Sequence, residues 1–239
     1  MTLNLMHLIP RRGTMPTAAP LRPGDYPVVF LHGSFGSAGN LEKPARRVAA
    51  CGVPALAIEY SSRGVGDLYR GKQEIARGLR SILDTVERVD LVGHSMGGFM
   101  GLQVASMPEF AGRIGTLVGL GAPFKGHPLE GTAITRFAIR HLFGPAHDQL
   151  YAHVHQPARI PDELRVVSII SDADTVVARP VAEFGEIVEV SGIPHSLLSG
   201  LEEEVLEALD RKEFEDHVAR LHFAGGSPDP SPVKKFIMP

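Results

Sequence analysis

Apolar residues fall along the chain in two alternating rhythms. Apolar-rich runs recur at VVFL (28–31), VPALAIEY (53–60), VDLVG (89–93), IGTLVGLGAP (114–123), LRVVSII (164–170) and GEIVEV (185–190), the first of them apolar throughout. A run apolar on successive residues has to bury both faces, as a strand inside a parallel sheet does. Between these runs the apolar positions spread to helical spacing. Segment 41–52 reads as a helix closed by Gly52. Segment 66–89 sets Ile75, Leu79, Ile82, Leu83 and Val86 on one helical face. Segments 97–107 and 196–210 read as further helices, the last one amphipathic. Strands alternating with helices predict parallel βαβ units in a doubly wound sheet.

The rhythm holds over residues 27–210 and breaks in three places. Residues 1–26 are rich in Pro and Gly and read as a poorly ordered lead-in. Residues 122–163 form an insertion of roughly forty residues between two strands, too long for a simple loop. Within it AITRFAIRHLF (133–143) gathers Ile134, Phe137, Ala138 and Leu142 near one helical face. A lid over a site is the favoured reading; a crossover helix with a long loop is the alternative. Residues 211–239 form a C-terminal tail, Pro- and Ser-rich and mobile from 225 onward.

The length of 239 residues and 44% hydrophobic content suit one sizeable core. The net charge of -3 is spread along the chain, with no basic stripe for nucleic acid. No stretch approaches the roughly 20 apolar residues of a membrane span. Arg11 and Arg12 follow the first apolar run instead of preceding it, the wrong order for a secretory signal. A soluble, cytoplasmic protein is expected, with a secreted form left open. The single cysteine, Cys51, has no partner for an internal disulfide and reads as a small buried thiol.

Candidate chemistry centres on LVGHSMGGFM (91–100). Gly93–His94–Ser95–Met96–Gly97 is a G-x-S-x-G pattern between a predicted strand and a predicted helix. In so sharp a turn the central residue is strained, and the flanking glycines relieve the crowding. The turn lifts the Ser95 hydroxyl clear of the sheet and sets it at a helix N-terminus, where negative charge is stabilised. A serine hydroxyl needs a base within reach, and the base needs an orienting acid. Among 11 histidines, His195 lies on the loop after the last predicted strand. That is the carboxyl edge of the sheet, where open α/β folds build sites. The loop after the preceding strand offers Asp172 and Asp174. Asp174 is favoured, because Val177 can anchor the loop; Asp172 is the alternative. His94 reads as a packing or supporting residue. The histidines of the insertion, His141, His147, His153 and His155, include an HVH pair, but no metal site is expected there.

Acyl transfer through Ser95 places negative charge on an oxygen, which two preorganised N–H donors would stabilise. Met96 should give one. The other should come from LHGSFGSAGN (31–40), with Ser34 the favoured donor and Phe35 the second choice.

Together FLHG, GHSMGG, SDADTVV and GIPHSLL resemble the α/β-hydrolase superfamily, its serine esterase and lipase branch in particular. LVGLGAPFKGH (117–127) is similar to the segment after the sixth strand of bacterial lipases, which reads Gly-Thr-Pro-His-x-Gly; Ala122 and Phe124 replace the Thr and His. The resemblance implies a mostly parallel sheet of about eight strands with helices on both faces and a small cap after the sixth. It also implies a Ser95–Asp174–His195 triad, oxyanion donors at Ser34 and Met96, and no cofactor or metal. The expected activity is hydrolysis of small-molecule or lipid-like carboxylic esters. An acyltransferase using the same triad and a non-catalytic binding protein of the same fold are the alternatives. Natural substrate, acyl length and self-association stay open.

Overall fold

The computed structural model describes residues 13–126, 146, 149–150, 159–211, 214 and 234–236. The six apolar runs form six parallel strands: β1 (Val28–Leu31), β2 (Ala55–Ile58), β3 (Val89–His94), β4 (Ile114–Leu120), β5 (Arg165–Ser171) and β6 (Glu186–Val190). A short β7 (Lys234–Phe236) adds antiparallel to β6. The sheet order is β2-β1-β3-β4-β5-β6-β7. The described residues thus hold seven strands where the family resemblance implied about eight. No strand forms across residues 13–27, where Pro16, Pro20, Pro23 and Pro27 remove ladder donors. β7 lies in the tail that the composition marks as mobile.

The helices are α1 (Glu42–Ala50), α2 (Leu68–Leu83), α3 (Met96–Ala105), α4 (Arg179–Ala182), α5 (His195–Leu198) and α6 (Glu203–Leu209). In a strand, neighbouring side chains face opposite ways, so the continuous runs feed two cores. Val29, Leu31, Leu91 and Leu117 meet Ile75, Leu79 and Leu83 of α2 and Phe99 of α3. Val28, Phe30, Val92, Val118 and Leu120 meet Val48 of α1 and Val205 and Leu209 of α6. α2 starts where the Asp67 carboxylate accepts from Arg70 N–H at 2.8 Å, and it buries Ile75, Leu79 and Leu83 at steps of four. The helix expected over 196–210 is two, α5 and α6, broken around Gly200.

Segments outside the alternation are packed where they are described. Thr14 N–H donates to Glu42 at 3.1 Å, and Met15 and Leu21 pack against the two cores. In the insertion, Ala146 and Leu150 are buried. Gln149 accepts from Leu68 N–H at 2.7 Å and donates to Asp67 at 2.6 Å, which ties the insertion to the start of α2. The expected lid helix 133–143 and residues His141, His147, His153 and His155 lie outside the described residues.

The amino ends of the strands carry a buried charge cluster. Asp90 on β3 is 1% exposed. It accepts from the Tyr26 hydroxyl and from Thr116 N–H at 2.7 Å each, and from Arg211 Nη1 at 3.3 Å. Arg211 also donates to the Tyr26 carbonyl at 2.8 Å and stacks 4.1 Å above its ring. Burial pushes the Asp90 carboxyl above the usual range, against the hydrogen bond from Tyr26 and the charge of Arg211. Removing the acid takes the carboxylate from a buried guanidinium and the acceptor from the Tyr26 hydroxyl and Thr116 N–H, which typically costs about 3–5 kcal/mol. Asp90→Ala should therefore lower unfolding stability by roughly that amount in urea titration. A change below about 1 kcal/mol would show the cluster to be loosely held.

Candidate active site

Six connections leave the carboxyl edge of the sheet, one after each parallel strand, and their glycines decide what meets there. Ser95 sits at φ 53° and ψ −121°, a backbone region costly for a residue with a Cβ. β3 and α3 approach too closely to relax it. A Cβ on Gly93 would run into Gly97 and Gly98, and one on Gly97 into the carbonyl oxygens of Leu31 and His32. Ser95 N–H donates to the Leu120 carbonyl at 2.9 Å, which pins the turn to the end of β4. Met96 is the first residue of α3, so its N–H has no partner within the helix. The first two turns of α3 are buried against the sheet, and Ser95 itself remains partly exposed.

β5 and β6 are neighbours, with Ser171 paired to Val190, and their loops bring Asp174 and His195 together. His195 Nδ1 lies 2.7 Å from Asp174 Oδ2, with the two side chains 11% and 4% exposed. The other carboxylate oxygen accepts from Val176 N–H at 2.8 Å and Val177 N–H at 2.9 Å. Burial alone would raise the Asp174 carboxyl; the bonds from His195, Val177 and Val176 outweigh it and hold the group below its usual range. Val177 is buried, so the loop is anchored where the sequence places a valine. Asp172 goes elsewhere and accepts from Gly192 N–H at 2.7 Å. A Cβ on Gly121, just past β4, would come 2.9 Å from Asp174 Oδ2 and 3.0 Å from His195 Nδ1. The pair therefore stands over the same strand end that pins Ser95.

His94 links the two halves. Its Nε2 lies 2.9 Å from the His195 carbonyl. A carbonyl only accepts, so Nε2 carries the proton and donates. The two rings are 4.9 Å apart. Burial, and then the neighbouring His195, push the His94 imidazole down to about 4. Among the described residues no hydrogen bond joins the Ser95 hydroxyl to His195; such bonds often tighten only once substrate is bound.

The loop after β1 runs alongside. A Cβ on Gly33 would meet His94 Nδ1 at 2.9 Å and Ser95 Cβ at 3.1 Å. Gly36 N–H closes a turn onto the Gly33 carbonyl at 3.0 Å, and Phe35 sits at φ 59°. Among the described residues no acceptor takes the Ser34 N–H. Tyr60 stacks on His32 at 4.7 Å and donates to the His32 carbonyl at 2.7 Å.

One feature escapes the sequence. Ser61, Ser62, Arg63 and Gly64 have φ of 43°, 47°, 65° and 74°, a single left-handed turn. Left-handed helix costs roughly 1–2 kcal/mol for each non-glycine residue. The turn is held by Ser61 N–H to Glu74 at 2.6 Å and the Ser61 hydroxyl to the Asp67 carbonyl at 2.9 Å. Only Gly64 and Gly66 in SSRGVG hint at it.

Among the described residues no group of three or more His, Cys, Asp or Glu is arranged to hold a metal ion. Cys51 is partly buried, with its thiol 3.3 Å from the Arg47 carbonyl.

The His94 shift has a signed consequence. Its pKa falls from the unfolded value of about 6.5 to about 4 in the fold, so the unfolded chain takes the proton first. The stability this represents is complete above about pH 6.5 and is lost as pH falls toward about 4. His94→Gln should flatten the stability–pH curve across that window in parallel acid-unfolding titrations. Curves of equal slope would contradict the assignment.

Residues 28–186 match the Alpha/beta hydrolase family. A dihydrolipoyllysine-residue acetyltransferase component of an acetoin cleaving system, from Pseudomonas putida, is 31% identical over 140 residues, 54% of this chain. The chain spans 36% of the length of that relative. Among solved structures, ClbQ from the colibactin NRPS/PKS pathway superposes with TM-score 0.57 at 14% identity, covering 84% of this chain and 100% of that one. Est1E from Butyrivibrio proteoclasticus, solved with ferulic acid bound, gives TM-score 0.56 at 15% identity, covering 83% of this chain and 94% of that one. Likeness at such identity is a likeness of fold. With the family match across two thirds of its length, the chain belongs to the α/β-hydrolase family.

Proposed function

We propose that the protein is a serine hydrolase of carboxylic esters, with Ser95 as nucleophile, His195 as general base and Asp174 as the orienting acid. The observation that carries this reading is the 2.7 Å Asp174–His195 hydrogen bond, tied through His94 to the strained turn that presents Ser95. With Nδ1–H given to Asp174, Nε2 of His195 is the nitrogen left to accept a proton.

In this reading Ser95 Oγ attacks the ester carbonyl while His195 takes its proton. The carbonyl oxygen gains negative charge and is met by the N–H groups of Ser34 and Met96. The intermediate collapses, His195 returns the proton to the departing alcohol, and an acyl-Ser95 remains. Water, deprotonated by His195, attacks that acyl group; the acyl–Oγ bond breaks, the acid leaves, and His195 returns the proton to Ser95 Oγ. No cofactor enters the sequence of steps. Val176 and Leu197 are 54% and 61% exposed, two residues beyond Asp174 and His195. We read these two exposed apolar side chains as contacts for an acyl chain or another lipid-like group. Among the described residues no helix is long and apolar enough to cross a membrane.

A second reading, transfer of the acyl group to an alcohol or amine instead of water, is favoured by the acetyltransferase name of the Pseudomonas putida relative. Product analysis with a competing acceptor alcohol separates the two. Transfer product exceeding free acid at millimolar acceptor would favour the transferase.

Ser95→Ala should lower kcat on short p-nitrophenyl esters by about 10⁴-fold or more, and Asp174→Asn by roughly 10⁴-fold. Steady-state kinetics check both. Wild-type turnover in Ser95→Ala would refute the proposal.

A further inference from the structure

The segment between β2 and α2 takes no part in the steps above, yet it grips the loop that supplies the Ser34 donor. Arg63 Nη2 donates to the Phe35 carbonyl and Arg63 Nε to the Gly36 carbonyl, both at 2.9 Å. One planar guanidinium, its donors in a rigid fork, thus fixes two successive peptides. Gly64 lies against the Gly33–Ser34 peptide itself. A Cβ there would stand 2.9 Å from the Gly33 oxygen and 3.3 Å from Ser34 Cα. In a trans peptide the C=O and N–H point to opposite sides. The Gly33 oxygen faces Gly64 and accepts from Gly36 N–H. The Ser34 N–H is therefore turned away from the left-handed turn, while Gly33 packs on Ser95. Three non-glycine residues at positive φ persist only where surrounding contacts over-determine them. Here those contacts converge on the loop beside the serine.

We infer that Arg63 is a positioning residue for the oxyanion site. Its guanidinium, carried inward by the left-handed turn, holds the 33–36 loop so that the Ser34 N–H meets the oxygen on which charge develops. The inference rests on the esterase reading above. A loosened loop would leave substrate binding intact and weaken stabilisation of the tetrahedral state alone.

The test compares wild type, Arg63→Gln and Arg63→Lys on a short p-nitrophenyl ester and with a trifluoromethyl ketone, which forms a tetrahedral oxyanion adduct. Arg63→Gln should lower kcat roughly 10- to 100-fold with KM within about twofold, short of the ~10²–10³ lost when a donor is removed outright. Ketone affinity should fall by the same factor as kcat/KM. Arg63→Lys, which keeps the charge and three donors but lacks the fixed planar fork, should recover part of both. If Arg63→Gln does not fold, Arg63→Lys decides: reduced kcat at constant KM supports the role, and wild-type kcat overturns it. Lower thermal stability with kcat, KM and ketone affinity unchanged would overturn it too, since Arg63 would then only brace the fold. Wild-type protein without Ser95-dependent turnover would overturn the esterase reading and this inference together; wild-type turnover with an unaffected Arg63→Gln would overturn the inference alone.

Discussion

The close approach of β3 and α3 around Ser95 governs much of the rest. A residue at φ 53° and ψ −121° is retained only because neighbouring backbone leaves it nowhere to go. Gly93, Gly97 and Gly98 supply that closeness, and the effect spreads to the next strand. A Cβ on Gly98 would stand 2.5 Å from the Ala122 methyl, so the glycine and Ala122 pack directly on each other. Phe124 is 1% exposed and lies over Gly119, which pairs with Gly93 across β3 and β4. Ala122 and Phe124, the two departures from the bacterial lipase pattern, thus serve packing behind the serine turn.

The two ends of the sheet divide the work. The amino ends hold the Asp90–Arg211–Tyr26 cluster, buried and many-fold bonded, which fastens the residues before β1 to those after α6. The carboxyl edge holds strained backbone and partly buried polar groups: Ser95, the Asp174–His195 pair, Phe35 and the 61–64 turn. Strain of that kind destabilises unless something rigid lies beneath it. β1, β3 and β4, with nearly every side chain buried, are that base. His94 belongs to both regions, as the last residue of β3 and the donor to the His195 carbonyl.

The sequence exposed whatever depends on local pattern. The six parallel strands were legible because strands buried on both faces, β1, β3 and β4 most fully, read as apolar-rich runs. Ser95 was legible because its turn demands glycines at fixed offsets, and the loops bearing Asp174 and His195 because each follows a strand. The choice between Asp174 and Asp172 turned on Val177, whose buried side chain and N–H both hold the Asp174 loop. Features set by distant partners were not legible. Nothing in Ser61–Ser62–Arg63 favours positive φ; Glu74, Asp67 and the 33–36 loop impose it. Asp90 inside an apolar strand was a signal, but its partners Tyr26 and Arg211 lie 64 and 121 residues away. β7 is three residues long, too short to mark itself by pattern.

The central claim is that Ser95, His195 and the Ser34 and Met96 N–H groups act on one reacting centre. A crystal structure of the protein after inactivation with a small alkyl fluorophosphonate tests it most directly. The account predicts phosphorus bonded to Ser95 Oγ, the phosphoryl oxygen within hydrogen-bond distance of both N–H groups, and His195 Nε2 facing the serine oxygen. An adduct on another residue, or on Ser95 with its oxygen turned away from Ser34 and Met96, would contradict it.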